Sequence, residues 1–243
     1  MTDSQVIVIG SGAGGLSSAL FLAKQGFSTL LLEAMPSLGG YLNPFRRGPY
    51  SFDTGLHYLG QLGRGEAFLD LLESLGIADK VDFVELDPEG FDRYVFPDYE
   101  IALCKGKERY KEKLFREFPG EQTGTEKYFR VLDRVTEAMG ASISGSGGIL
   151  GMLGLLIRHP VMLKYGRATY QKLLDDVTQD KLLQAVLSAL SATYGLSPSR
   201  ASALIPLMVL DHYLQGGYYP KGGSGAFRDA FVGALQSHDV ETK

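Results

Sequence analysis

The sequence predicts an α/β fold: a βαβ unit with a parallel sheet at the N-terminus, followed by a region that mixes strands with helices. Three features carry this expectation. Val6 to Ile9 is an unbroken apolar run. Glycines follow at positions 10, 12 and 15, a G-x-G-x-x-G spacing. Leu16, Ala19, Leu20 and Ala23 then recur at i, i+3, i+4 and i+7, the period of a helix with one apolar face.

Each element of the unit has a local reason. Val6, Ile7, Val8 and Ile9 are β-branched, which suits a strand buried on both faces of a parallel sheet. Gly10 allows a tight turn out of that strand. Gly12 has no side chain, so a pyrophosphate can approach the backbone. Gly15 lets the helix pack closely on the strands. The helix N-terminus then offers free N–H groups to the phosphates. Gly26 falls where the helix would be capped, and Ser28 to Leu32 reads as a second strand ending at Glu33. A carboxylate there can accept from ribose hydroxyls and would repel a 2′-phosphate, which disfavours NADP. The whole pattern points to dinucleotide binding. NAD and FAD both suit it. Gly39 and Gly40 permit a second close approach of backbone beyond the adenosine end.

Further along, Ser51 to Gly60, "SFDTGLHYLG", reads as a loop or an edge strand. Asp53 and Thr54 there are expected to bond local backbone. Ala67 to Leu75 is an amphipathic helix ended by Gly76. "VDFVEL", "RYVFPD" and "YEIALC" read as three strands of a small separate sheet. "KGKERYKEKLFREFPG" reads as a solvated helix, and Thr125 to Met139 as another with Phe129, Leu132 and Val135 on one side. Ser144 to Gly148 is a linker candidate. The apolar run Ile149 to Ile157 fits a core helix, a tunnel wall or an interfacial helix, and is too short to span a bilayer, which takes roughly 20 residues. Asp180 to Thr193 reads as a helix. A further helix is expected from Ser197-Pro198 toward Tyr213, bent at Pro206. His212 reads as structural. Finally, a glycine-rich loop at Gly222 to Gly225 precedes a helix with Ala226, Phe227, Ala230, Phe231, Ala234 and Leu235 on its apolar face.

Composition narrows the classes. The chain has 243 residues, 44% of them hydrophobic, so a packed core is expected. The net charge of −4 gives no footprint for nucleic acid. One cysteine, Cys104, rules out a disulfide within the chain. "MTDSQ" has neither the basic nor the apolar region of a secretory signal, so the expected location is cytoplasmic, with peripheral membrane contact left open. No metal site is expected.

Gly10, Gly12, Gly15, Glu33, Gly39 and Gly40 together resemble the start of the phytoene desaturase group of FAD-dependent oxidoreductases, which includes carotenoid isomerases and retinol saturases. The run Phe52, Asp53, Thr54, Gly55, Leu56, His57, Tyr58 and Leu59 is most similar to the retinol saturase branch. Pro220 to Gly223 resembles that family's return from substrate domain to FAD domain. The resemblance implies FAD, with adenine near Glu33. It implies a cofactor-facing set of Gly10, Ser11, Gly12, Ala13, Gly14, Gly15, Glu33, Ala34, Gly39, Gly40, Tyr41, Gly55, Leu56 and His57. His57 is a catalytic candidate whose alternative is a structural histidine, and Tyr218 and Tyr219 would lie near flavin or substrate.

The same resemblance implies an organisation into an FAD-binding part over 1–64, a substrate-binding domain over 65–215, and a returning segment over 216–243. Family members continue past this last helix with strands and a glycine-rich segment that complete the flavin domain, so a complementary chain or a homo-oligomer is expected. The implied activity is FAD-dependent oxidoreduction at carbon–carbon double bonds of an apolar polyene or isoprenoid, by saturation or desaturation. Flavin-assisted cis–trans isomerisation, a non-catalytic binding fragment and an amine oxidase are the alternatives.

Overall fold

The computed structural model describes residues 5–144, 154 and 156–243. They form two compact units. One contains the residues up to Leu86 together with Gly217–Lys243, and the other contains Asp87–Gly216.

In the first unit, β1 (Val6–Ile9) and β2 (Thr29–Leu32) pair in parallel, with Val6 opposite Thr29 and Ile9 opposite Leu32. The right-handed crossover expected of such a pair is supplied by α1 (Ala13–Lys24). Leu16, Ala19 and Leu20 are fully buried beneath it. β9 (Glu241–Thr242) adds to the far edge of β2, again in parallel. The sheet order is therefore β1–β2–β9. A short hairpin follows β2, made of β3 (Phe45–Arg47) and β4 (Tyr50–Phe52).

α2 (Ala67–Leu75) buries Leu72 and Leu75 against the α1 core. It ends on Gly76 in the left-handed region, and the Lys24 ammonium donates to the carbonyl of Ser74 in its last turn at 2.7 Å. β5 (Phe83–Glu85) pairs antiparallel with β8 (Tyr218–Pro220). α10 (Gly223–Ser237) packs on α1 and puts Phe227, Ala230, Phe231 and Leu235 into the same core. Each large apolar side chain buried there contributes about 1.5–3 kcal/mol.

The second unit opens with a hairpin of β6 (Asp92–Phe96) and β7 (Tyr99–Leu103). Helices follow: α3 (Lys107–Glu117), α4 (Gln122–Ser144), α5 (Pro160–Tyr165), α6 (Tyr170–Val177), α7 (Lys181–Leu187), α8 (Ser191–Tyr194) and α9 (Leu204–Leu214). α4 is the axis of this unit, with α3, α6 and α9 against it. Its Phe129, Leu132 and Val135 are buried, together with Tyr128 and Ala138.

Several expectations need correction. The segment from residue 65 to Leu86 belongs to the first unit, because α2 shares the core of α1 and β5 pairs with β8. "VDFVEL" therefore does not join the β6–β7 hairpin. β1 is not buried on both faces. Val8 turns toward α1, but Ile7 is 56% and Ile9 83% exposed. The helix expected from Ser197 starts only at Leu204, so Pro206 sits in its first turn. The amide that proline lacks would be unpaired there anyway, and no mid-helix bend is required. Asp180 to Thr193 is two helices, α7 capped by the Asp180 carboxylate on the Leu183 amide, then α8. Most of the linker and the apolar run expected over 144–157 lie outside the described residues.

Candidate functional site: a glycine turn braced by Glu33

The turn after β1 is built from backbone. Gly10 adopts φ +91°, a conformation open to glycine, and its N–H donates to the Leu32 carbonyl at 2.7 Å. Gly12 is the residue before α1 in extended conformation, and no side chain caps the helix. The first amides of α1, from Ala13, Gly14 and Gly15, therefore have no side-chain cap and carry the positive end of the helix dipole. A Cβ at Gly10, Gly12 or Gly14 would meet nothing within 4 Å. The cradle is open where a phosphate would approach. At Gly15 the opposite holds: a Cβ would stand 1.8 Å from the Gly10 carbonyl oxygen. That glycine closes the turn onto the helix.

Glu33 follows β2 and faces this turn. Its backbone N–H donates to the Lys243 carbonyl at 2.7 Å. Its Oε2 accepts from the Ser11 amide at 2.8 Å and from the Ser11 hydroxyl, and its Oε1 accepts from the Met35 amide at 3.0 Å. The Ser11 hydroxyl, the Met35 amide and the Ser11 amide together hold the carboxyl at about 2, against an ordinary 4.5. Glu33 is thus an anion at any physiological pH. It fits a sugar hydroxyl and repels a phosphate.

The Gly39–Gly40 pair folds back over the same turn. Both have positive φ. A Cβ on Gly40 would lie 3.0 Å from the Gly12 Cα, and one on Gly39 would lie 2.7 Å from the Arg228 Cδ. Gly40 thus lets backbone pack on backbone, and Gly39 makes room for the Arg228 side chain. Tyr41 beside them is exposed. Arg228 donates to the Asn43 Oδ1 at 2.7 Å and pairs with Asp229.

Asp53 does not bond local backbone. It accepts from the Ser224 amide at 3.0 Å, the Ser224 hydroxyl at 2.6 Å and the Tyr219 hydroxyl. Burial pushes its carboxyl up, but the hydrogen bonds from Ser224 and Tyr219 outweigh it and hold the carboxyl below the usual range. The Tyr219 phenol is pushed up to about 12 by burial and by this carboxylate. Asp53 therefore ties the loop after β4 to the first turn of α10. Thr54 likewise reaches the carbonyls of Tyr41 and Asn43, at 3.0 and 2.7 Å. A Cβ on Gly55 would stand 2.9 Å from the Tyr41 Cβ. Leu56 is half-buried and His57 exposed.

The structure thus brings together Gly10 to Gly15, Glu33, Gly39 and Gly40 around one turn. Tyr41 and Gly55 meet beside it. Ala34 is exposed on the loop after Glu33. Sequence reasoning missed Asp53 as the cap of α10 and Arg228 as the wall against Gly39. The absence of any Ser, Thr, Asn or Asp just before Gly223 was the available hint that a distant side chain caps that helix. Among the described residues no cluster of His, Cys, Asp and Glu is arranged to hold a metal, and no helix is long and apolar enough to cross a membrane.

Residues 8–75 match the NAD(P)-binding Rossmann-like domain family. The chain is 30% identical over 234 residues to the all-trans-retinol 13,14-reductase of Danio rerio, covering 91% of this chain and 38% of that protein. It is 25% identical over 238 residues to a 4,4′-diapophytoene desaturase of Methylomonas sp, covering 97% and 46%. Among solved structures, cyclohexylamine oxidase from Brevibacterium oxydans superposes with a TM-score of 0.62 at 16% identity, over 98% of this chain and 51% of that one. The chain spans less than half the length of the curated relatives it matches. It is a homologue of the N-terminal portion of the all-trans-retinol 13,14-reductases and carotenoid desaturases, built on a Rossmann-like dinucleotide-binding unit.

Proposed function

We propose that the chain supplies the FAD-binding and substrate-binding portions of an oxidoreductase that acts on carbon–carbon double bonds of an apolar polyene or isoprenoid. The observation that carries the reading is the open amide cradle at the start of α1 beside an ionised Glu33. The amides of α1 would hold the diphosphate, and Glu33 the adenosine sugar. Flavin, when bound, supplies the hydride chemistry, and the protein orients it and excludes water. Saturation is the favoured direction, supported by the retinol 13,14-reductase relatives, with desaturation next, supported by the desaturase relatives. The amine oxidase likeness is one of fold at low identity.

Purified chain should carry visible flavin or take up FAD, with ADP competing and NADP failing to compete. Protein that binds neither FAD nor ADP overturns the reading. A second reading, in which the chain binds its ligand without turnover until another polypeptide covers it, is favoured by the bare apolar face of Ile7 and Ile9. Light scattering tests it: a concentration-dependent rise in mass supports pairing. A monomer at all concentrations that also binds no complementary polypeptide removes it.

Contact with a membrane surface belongs to the same proposal. The β3–β4 hairpin exposes Phe45, Tyr50 and Phe52 beside Arg46 and Arg47, a mixture suited to an anionic interface. Flotation with anionic vesicles, lost on Arg46→Glu with Arg47→Glu, is the expected result. Absence of flotation removes this part.

A further inference from the structure

We propose that Ser11 is a positioning residue for the dinucleotide site: its buried hydroxyl locks the Glu33 carboxylate and the Gly39 turn into the geometry that receives the adenosine sugar. This rests on the reading of the glycine turn as a dinucleotide site. The glycine turn, the end of β2 and the Gly39 turn meet at one hydroxyl. Ser11 lies between Gly10 and Gly12 and is completely buried. Its Oγ donates to the Glu33 Oε2, 22 residues on, and accepts the Gly39 amide at 2.9 Å, 28 residues on. Its own amide donates to the same Oε2 at 2.8 Å. A hydroxyl has one proton and two lone pairs, so one donated and one accepted bond fully orient this one.

The consequence is division of labour within the carboxylate. Both Ser11 donors converge on Oε2, and the Met35 amide takes one position on Oε1. The carboxylate plane cannot rotate without breaking these bonds. The groups that act on the carboxyl are all donors: the Ser11 hydroxyl and amide, and the amides of Met35 and Ala34. The Ser11 hydroxyl is the largest of these, so the ionised state depends on Ser11 first. No ligand contact is assigned to Ser11 itself. It acts through Glu33 and through the Gly39–Gly40 backbone, whose position over Gly12 shapes the rim of the cradle.

The test uses the full chain with ADP as probe, in wild type, Ser11→Ala and Ser11→Cys, with folding checked by circular dichroism. Ser11→Ala should weaken ADP binding about tenfold at pH 7, since a hydrogen bond to a charged group is lost, and Ser11→Cys should fall between the two. From pH 6 to pH 4, where ADP's own ionisation affects both chains alike, Ser11→Ala should lose more affinity than wild type as Glu33 titrates. Carboxyl NMR of the ligand-free chain should show Glu33 titrating at higher pH in Ser11→Ala. This readout needs no nucleotide, so it separates the two ideas. Wild type that binds no ADP overturns the dinucleotide reading, and the positioning proposal with it. ADP binding with an unchanged Ser11→Ala affinity and an unmoved Glu33 titration overturns the positioning proposal alone. In a Glu33→Gln background, Ser11→Ala should add little. An equal, additive loss in both backgrounds also overturns it.

Discussion

Gly15 lies so close under the carbonyl of Gly10 that a Cβ on it would stand 1.8 Å from that oxygen. Two glycines of one motif therefore do different work. Gly12, two residues from the turn, has nothing within 4 Å of its Cβ position and an ordinary φ of −63°. Gly15→Ala should destabilise the first unit by about 1–3 kcal/mol, as an overpacked site does, because backbone and not a flexible side chain must yield. Gly12→Ala should leave urea stability within about 0.5 kcal/mol and weaken ADP binding by blocking the approach of the diphosphate. Equal stability loss in the two variants would contradict this division.

Asp53→Ala should destabilise the first unit by about 1–2 kcal/mol, the range for loss of a helix cap with charge-assisted bonds. The carboxylate accepts two bonds from Ser224 and one from Tyr219, and Gly223 has φ +75° against it, where a Cβ would lie 2.7 Å from Oδ2. The sign of the pH effect follows from the lowered carboxyl. A group whose folded value lies below its unfolded one contributes stability above the unfolded value and loses it as pH falls through the folded value. Wild type should therefore lose more stability than Asp53→Ala between pH 6 and pH 3, measured by urea unfolding at each pH.

What was legible in the sequence was local. The glycine spacing, the i, i+3, i+4 recurrence of Leu16, Ala19 and Leu20, and the glycine after Leu75 each depend on a few neighbouring residues, and the elements formed where those patterns stood. What was not legible depended on partners far along the chain. Asp53 and Ser224 are 171 residues apart, and nothing in "FDTG" announces the other end. β5 finds β8 rather than the neighbouring hairpin because pairing follows the fold of the first unit and not sequence order. Ser11 carried no signal of its own, since a serine between two glycines suits any turn. Four β-branched residues in a row suit a strand buried on both faces, yet in β1 only the Val8 side is covered.

Ile9→Ser tests that uncovered side. A residue 83% exposed contributes little to folding of the chain itself. The substitution should change urea stability by no more than about 0.5 kcal/mol. Leu20→Ala, on the buried side, should cost about 2–5 kcal/mol. If the face of Ile7 and Ile9 receives another polypeptide, Ile9→Ser should lower the concentration-dependent mass seen by light scattering. A large stability loss in Ile9→Ser would mean that the face is already packed.

In the second unit, removing one of two touching hydroxyls should cost more than removing the other. Tyr170 donates to the Leu187 carbonyl at 2.7 Å and lies 2.8 Å from the Tyr128 hydroxyl, with both rings buried. Since the Tyr170 proton goes to Leu187, Tyr128 must donate to Tyr170, so the relay runs from Tyr128 through Tyr170 to a main-chain oxygen. Burial pushes both phenols well above their ordinary range, so neither ionises in the folded chain. Tyr128→Phe removes only the donor at the end of the relay and should cost about 0.5–1.5 kcal/mol. Tyr170→Phe strands the Tyr128 donor and the Leu187 carbonyl together and should cost about 1–3 kcal/mol or more. The double variant should be less destabilised than the sum of the two singles, because the groups stranded by one change are removed by the other. Chemical denaturation of the four chains reads this directly, and equal costs for the two single variants would contradict the relay.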